Sequence, residues 1–225
     1  MGAFLSLLVR CWTVNHPPEP PKSREAIRIG ILGTGWIASR ALITPAKSHP
    51  DVIIAAVASR DKTRAEAYAR KFNIPIAYGS YQGRPSAVDM LDDPAIDAIY
   101  NPLPNSEHYE WSLRALKAGK HVLLEKPSVS NTLEAESLFA YNSSLPMPRP
   151  ILLEAMHPRF HPAWSKFLSL ISSPHVEKVD VEFNAPSGFF AKGDIRWRFD
   201  LAGGAMMDIG SYTVSCLRDV FGAEP

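Results

Sequence analysis

The stretch that decides the fold is Ile27-Arg28-Ile29-Gly30-Ile31-Leu32, followed directly by Gly33-Thr34-Gly35-Trp36-Ile37-Ala38. The short apolar run predicts a buried strand, and the second hexapeptide fits G-x-G-x-x-A at a turn from strand to helix. In such a loop Gly33 permits the tight turn and Gly35 lets the backbone approach a pyrophosphate. Ala38 lets the helix pack closely on the strand. The alternative is an ordinary strand-to-helix turn with no ligand.

Strands and helices alternate on both sides of this loop, which predicts parallel pairing with helices on both faces of a sheet. The helix that opens at Trp36 is expected to run to Leu42 and to be broken by Pro45. The predicted strands are 27–32, 52–58, 97–101, 121–125 and 151–155, and the predicted helices are 62–72, 106–118 and 131–139. The fold class is therefore α/β, a doubly wound parallel sheet of the Rossmann type.

The pattern changes after about Met156. Residues 160–171 are amphipathic, and Val176 to Phe183 alternates as a half-buried strand of an open sheet does. We therefore predict three regions: an N-terminal arm with a Pro-rich linker, a nucleotide-binding Rossmann domain, and a partial α+β domain for substrate binding and dimerisation. Their bounds are 1–25, 26–156 and 157–225. The arm is expected to form a short helix that packs on the body.

Composition excludes several classes of protein. Of 225 residues, 46% are hydrophobic and 21% are charged, which argues against disorder, and the net charge of +1 gives no reason to expect nucleic acid. The apolar runs are too short for a transmembrane helix. Cys11 and Cys216 show no metal or redox spacing, which indicates reduced thiols and a cytoplasmic protein.

The end of the second strand indicates the cofactor. NAD sites usually place an acid there, whereas this chain reads Ala58-Ser59-Arg60. A hydroxyl and a guanidinium suit a 2′-phosphate, with Arg64 as a helper, so NADP is favoured over NAD. The alternative is that Arg60 is a solvated cation at a helix start.

A set of motifs in fixed order carries a family resemblance. They are the glycine loop, Tyr100-Asn101-Pro102-Leu103-Pro104-Asn105 with His108, Glu125-Lys126-Pro127, His157-Pro158-Arg159-Phe160-His161-Pro162, and the Gly-rich run from Gly203 to Tyr212. From about Ile27 onward the chain resembles the Gfo/Idh/MocA oxidoreductases. Within that family it is most similar to the group of NADP-dependent D-xylose 1-dehydrogenases and trans-1,2-dihydrodiol dehydrogenases.

The resemblance implies that Lys126 sits beside a substrate hydroxyl, that the Lys126–Pro127 bond is cis, and that Asp208 and Tyr212 share in catalysis. Many members carry His where this chain has Tyr212. The residues expected to bind the cofactor are Gly33, Thr34, Gly35, Trp36, Ile37, Ser59, Arg60, Pro102, Leu103, Asn105, His108, Glu125 and Lys126.

Oxidation of a carbinol needs a base for the hydroxyl proton. Tyr212 can serve if Lys126 lowers its pKa, Lys126 can also bond the substrate oxygen, and Asp208 would orient one of them. His108, His157 and His161 show no metal-site spacing, so no metal is expected.

The predicted function is an NADP-dependent oxidoreductase for a sugar or cyclic diol hydroxyl, with D-xylose to D-xylono-1,5-lactone as the favoured reaction. The expected partner is a small molecule, with no nucleic acid and no membrane, and family members are often homo-oligomers. The alternatives are a binding protein that senses NAD(P) or sugar without turnover, and an inactive truncated product. Truncation is suggested because residues 157–225 are few for a substrate domain and leave 176–183 without sheet partners.

Overall fold

One parallel sheet of six strands organises the computed structural model, which describes residues 2–79, 90–171, 175–186 and 188–222. The strands lie in the order β3-β2-β1-β4-β5-β6, and every neighbouring pair is parallel. Their bounds are β1 Ile27–Leu32, β2 Val52–Ala58, β3 Ile76–Tyr78, β4 Ala98–Asn101, β5 His121–Leu124 and β6 Leu152–Glu154. The predicted doubly wound fold is confirmed, and β3 is a strand that the sequence pattern did not reveal.

The direction of winding reverses between β1 and β4, where Gly30 pairs with Ile99 and Ile31 with Tyr100. In open parallel sheets ligands bind in the crevice outside the carboxyl ends of the strands at such a reversal. The loops that follow β1 and β4 therefore meet at the expected ligand edge.

Eight α-helices surround or follow the sheet in the described residues. They are α1 Gly2–Asn15, α2 Trp36–Ala38, α3 Thr44–Lys47, α4 Lys62–Phe72, α5 His108–Lys117, α6 Thr132–Ser144, α7 Pro162–Leu168 and α8 Ser211–Phe221. The Asn131 side chain caps α6 by accepting a hydrogen bond from the Glu134 N–H. The Glu134 carboxylate in turn accepts from the Ser130 N–H.

The prediction that Pro45 breaks the first helix is wrong. A π-helical turn, Ser39–Ile43, joins α2 to α3, and the Thr44 N–H bonds the Ser39 carbonyl five residues back. Pro45 then lies in the first turn of α3, where a missing N–H costs no intrahelical bond. The helical path therefore continues to Lys47.

The core lies in two clusters on opposite faces of the sheet. Leu32 and Ile99 belong to one cluster, while Ile31 and Tyr100, their neighbours along the strands, belong to the other. Because side chains alternate across a strand, helices must cover both faces, and this is the reason the strands read as continuous apolar runs.

Residues 176–183 do not form the predicted strand, since no strand is assigned anywhere between 175 and 186. A strand is stable only when a neighbour satisfies its backbone groups, and no described segment pairs with this one. Residues 211–221 form the helix α8. Between the two, tight turns at Ile195–Trp197 and Phe199–Leu201 precede a π-helical turn, Met206–Gly210, that leads into α8.

The arm forms the predicted helix, α1, but its described apolar side chains do not pack on the body. Leu5, Leu8, Val9, Trp12 and Val14 are all at least half exposed. The linker is held instead through Lys22, whose Nζ donates to the carbonyls of residues 46, 47 and 49. No helix in the described part of the chain is long and apolar enough to cross a bilayer.

Candidate active site

The glycine loop has the geometry that close approach to a phosphate requires. Gly33 has φ +79°, a conformation that L side chains rarely adopt, and its N–H donates to the Ala58 carbonyl at 2.7 Å. At Gly35 an added Cβ would meet no protein atom within 4 Å, so the space beside it is open. Trp36, which begins α2, is 61% exposed at the same edge. Thr34 and Ile37 lie in this loop and are half-buried.

At the end of β2 the side chains suit a phosphate better than a ribose diol. Ser59 is buried and its hydroxyl accepts a bond from the Asp61 N–H. The Asp61 carboxylate caps α4 by accepting from the Thr63 and Arg64 N–H groups, so it is already engaged. No ion pair is found for Arg60 among the described residues.

Arg60 also lines a cavity of about 410 Å³ at this edge, which separates it from the first turns of α5. The other lining residues are Glu107, Glu110, Trp111 and Arg114. Glu110 is paired with Arg114 at 2.6 Å. Of the two arginines that line this cavity, Arg60 is therefore the one without a carboxylate partner among the described residues. Arg60 therefore borders open space at this edge, and this observation supports the fit of a dinucleotide phosphate.

The loop after β4 is held by buried hydrogen bonds. The Asn101 amide donates to the His108 carbonyl and the Ser112 hydroxyl, and its oxygen accepts from the Leu103 N–H. Leu103 then lies against Gly33, 3.0 Å from where a Cβ would stand. Pro102 precedes it and is half-buried. The two loops of the reversal point are therefore packed together.

His108 is a buried support between two loops of the site. Its ring is 1% exposed and lies between two backbone carbonyls, with Nδ1 2.7 Å from the Pro127 oxygen and Nε2 2.8 Å from the Leu103 oxygen. Burial lowers the pKa of His108, while the two carbonyls and Glu125 act in the opposite direction. The ring thus joins the loop after β4 to the loop that carries Lys126.

Two further residues of the predicted cofactor set are engaged within the protein. The Asn105 amide donates to the Ala202 carbonyl at 2.8 Å and so ties the nucleotide-binding part to the C-terminal segment. The Glu125 carboxylate accepts from the Tyr100 hydroxyl at 2.5 Å and from the Lys126 N–H at 3.2 Å. Burial, followed by Glu125, raises the pKa of Tyr100. We assign both residues positions that shape the site.

Lys126 and Asp208, predicted as catalytic from motifs far apart in the sequence, lie together. Lys126 Nζ donates to the Asp208 carbonyl oxygen at 2.7 Å and to its Oδ1 at 3.0 Å. Both side chains are largely buried, at 14% and 16% exposed. The Lys126–Pro127 peptide is cis, as the family resemblance implied.

Tyr212 is present in the same cluster, but the expected effect of Lys126 on it is not. Nζ lies over the ring, 4.8 Å from its centroid, in a cation–π arrangement. Burial, then Glu125 and Asp208, raises the pKa of Tyr212 to about 12. The condition that Lys126 lower the pKa of Tyr212 is therefore not met, because desolvation and two carboxylates dominate.

The ring of Tyr212 is also fixed from two sides. It is stacked on Phe183 and meets His157 edge-on. Beside it a cavity of about 320 Å³ is lined mostly by apolar groups from the C-terminal segment. The remaining lining residues are Met156, Pro158, Trp164, Ser215, Cys216 and Asp219. This cavity adjoins the cluster of Lys126 and Tyr212.

Arg196 is the site residue that sequence reasoning missed. Its Nε donates to Asp208 Oδ2 at 2.6 Å, and its Nη1 lies 3.1 Å from Asp194 Oδ1. In the sequence, only Asp194, two residues before Arg196, suggests that this arginine is paired. No local pattern connects Arg196 to Asp208. Of the three histidines, His108 lies between two carbonyls, His157 meets the Tyr212 ring and His161 accepts from the Ala163 N–H, and no cluster of potential metal ligands occurs in the described ranges.

The comparisons with known proteins agree with this geometry. The model of the Gfo/Idh/MocA family, described as an oxidoreductase family with an NAD-binding Rossmann fold, matches residues 27–145. The chain belongs to this family. The match covers the first five strands of the sheet, the glycine loop and Lys126, and ends before β6.

Several members of the family are similar over most of this chain. D-xylose 1-dehydrogenase (NADP(+)) 2 of Haloferax volcanii is 40% identical over 84% of this chain and 55% of its own length. Trans-1,2-dihydrobenzene-1,2-diol dehydrogenase of Mus musculus is 34% identical over 88% of this chain and 57% of its own.

A solved structure of a 3-ketoreductase from Actinomadura kijaniata, in complex with NADP and TDP-benzene, superposes with a TM-score of 0.67 at 30% identity. The superposition covers 86% of this chain and 57% of the reductase. The chain thus spans a little over half the length of the relatives it matches.

Proposed function

We propose that this chain carries the nucleotide-binding and catalytic residues of an NADP-dependent oxidoreductase that acts on a sugar or cyclic diol hydroxyl. The observation that carries the proposal is the pairing of Lys126 with Asp208 beside Tyr212, at the carboxyl edge of a parallel sheet whose glycine loop is open. This pairing supports the proposal, because polar groups that can bond a reacting hydroxyl lie next to the edge at which a dinucleotide binds in this fold.

The proposal of NADP rather than NAD rests on the side chains that follow β2. A 2′-phosphate there would meet the Ser59 hydroxyl and the Arg60 guanidinium, and the nearest acid, Asp61, is occupied as a helix cap. Two relatives support this choice, since the xylose dehydrogenase is named for NADP and the ketoreductase was solved with NADP. When bound, the nicotinamide supplies the hydride acceptor or donor.

The protein's own part is to hold the substrate oxygen and its proton. An ammonium group has three N–H donors, and Lys126 directs two of them to Asp208, which leaves one for a substrate oxygen. With its pKa raised to about 12, the Tyr212 phenol keeps its proton at neutral pH and, in the reducing direction, donates it to the substrate oxygen. In the oxidising direction the hydroxyl proton passes to the phenolate form of Tyr212, which restores the phenol. Both groups then stabilise charge on that oxygen as it develops.

D-xylose, oxidised at its anomeric carbon to D-xylono-1,5-lactone, is the substrate we propose first, because the 40% identical relative is a D-xylose 1-dehydrogenase. The diol dehydrogenase and the ketoreductase give the next two classes to test, a trans-dihydrodiol and a 3-keto sugar nucleotide.

The test is turnover by the purified full chain, followed as NADPH absorbance with D-xylose, a trans-dihydrodiol, or a 3-keto sugar nucleotide in the reducing direction. We expect D-xylose oxidation with NADP and its loss in Lys126→Met. Calorimetry should show NADP binding nearly unchanged in that variant, because the glycine loop is separate. Lack of turnover with all three classes despite tight NADP binding would refute the enzymatic proposal and support a sensing protein.

A further inference from the structure

The strongest unassigned feature near the site is the guanidinium of Arg196, which holds the outer oxygen of the Asp208 carboxylate. Lys126 Nζ donates to Asp208 Oδ1 at 3.0 Å, and Arg196 Nε donates to Asp208 Oδ2 at 2.6 Å. One carboxylate is thus shared between two cations, each of which is mostly buried. A carboxylate bound at both oxygens cannot rotate without breaking a charge-assisted bond.

Arg196 is itself fixed from three directions. Its Nη1 and its backbone N–H both donate to Asp194 Oδ1, at 3.1 and 3.0 Å, and the guanidinium lies 4.3 Å from the centroid of the Phe190 ring. Burial works against the charge of Arg196, but Asp208 and Asp194 outweigh it and raise its pKa, so the group stays a cation.

The backbone around Arg196 is equally constrained. A Cβ at Gly203 would lie 2.8 Å from the Arg196 carbonyl and 2.5 Å from that of Ile195. The neighbouring Ala202 carbonyl accepts from Asn105 in the loop after β4. The segment from 194 to 204 is therefore tied both to the nucleotide-binding part and to Asp208.

We infer that Arg196 is a positioning residue that acts on Lys126 through Asp208, and this inference rests on the proposed function. With Oδ2 held by Arg196, Asp208 offers Lys126 only Oδ1 and the main-chain oxygen, which leaves the third ammonium hydrogen for the substrate. Without Arg196, Oδ2 also becomes available to Lys126, and the ammonium is drawn from the substrate position. Arg196 touches neither substrate nor cofactor in this role.

The kinetic test compares Arg196→Met with Arg198→Met. Arg198 is a matched control because it lies in the same segment and, among the residues that the structure describes, its side chain forms an ion pair only with the exposed Asp200. We expect kcat to fall on the order of 100-fold in Arg196→Met, because small misplacement of a reacting group costs about that much, with KM and NADP affinity nearly unchanged. Arg196→Lys should recover part of the loss, and Arg198→Met should change nothing. Equal effects in the two Met variants, or a loss confined to KM, would overturn the inference.

A second readout does not depend on turnover. The ¹⁵N resonance of the Lys126 ammonium, assigned from its absence in Lys126→Met, reports its hydrogen bonds directly. It should shift or broaden in Arg196→Met and stay in place in Arg198→Met. If the wild-type chain turns over no substrate, the proposed function fails while this comparison still decides the role of Arg196. An unmoved resonance in Arg196→Met would overturn it.

Discussion

Replacing Asp208 with Asn tests the centre of the site with almost no change in shape. The carboxylate accepts from Lys126 at 3.0 Å and from Arg196 at 2.6 Å, and the three side chains are 14–25% exposed. Removing one partner of a fully buried ion pair costs about 3–5 kcal/mol. Here Lys126 keeps the Asp208 carbonyl and Arg196 keeps Asp194, and some water reaches the cluster. We therefore expect Asp208→Asn to lower the free energy of unfolding by about 2–3 kcal/mol.

The measurement is thermal unfolding followed by circular dichroism. For a chain of this size the expected loss corresponds to a Tm lower by about 4–12 °C. Asp200→Asn is the matched control, because Asp200 pairs with Arg198 where both are more than half exposed. Exposed pairs contribute little, so its Tm should not change measurably. If the two variants have the same Tm, the cluster contributes no more than a surface ion pair and the reasoning fails.

Three further predictions follow from the same geometry. Arg60→Ala should weaken NADP binding by about 1.5–3 kcal/mol, the value of a hydrogen bond to a charged group, and leave NAD binding unchanged; calorimetry that shows equal losses would contradict it. Gly203→Ala should destabilise the fold by about 1–3 kcal/mol, because its Cβ would stand 2.5 Å from the Ile195 carbonyl; a wild-type midpoint in urea would contradict this. Tyr212 has a pKa raised from 10 to about 12, so its contribution to stability is full below pH 10 and lost as the pH rises toward 12. The stability difference between the wild type and Tyr212→Phe should change in that window, and a difference that is flat from pH 9 to 12 would refute the shift.

The local elements of the Rossmann unit were predictable because their causes are local. The apolar run of β1, the glycines at 33 and 35, and the side chain of Asn131 each act within a few residues, through periodicity, φ angles or a cap. The three-residue β3 was missed because so short a segment shows no period, and its pairing with β2 alone makes it a strand.

Residues 176–183 show the limit of such patterns. Their alternation was that of a strand, yet strand structure depends on a partner that no local pattern can specify. The prediction that Pro45 breaks the helix failed for a related reason. The rule that proline breaks helices assumes a regular α-helical hydrogen-bond pattern, whereas here a π-helical turn precedes Pro45.

For this protein the sequence alone determined the class of sheet and the glycine loop after β1, and the family resemblance singled out Lys126, Asp208 and Tyr212 as candidate site residues. Only the tertiary structure decided how these groups act on one another. Lys126 meets Asp208 across 82 positions, and Arg196 joins them from a turn whose sequence gives no sign of it. Likewise the pKa of Tyr212 rises because packing buries the phenol near two carboxylates. Charge interactions depend on distance and solvent exposure in three dimensions, and neither quantity is encoded in the spacing of residues along the chain.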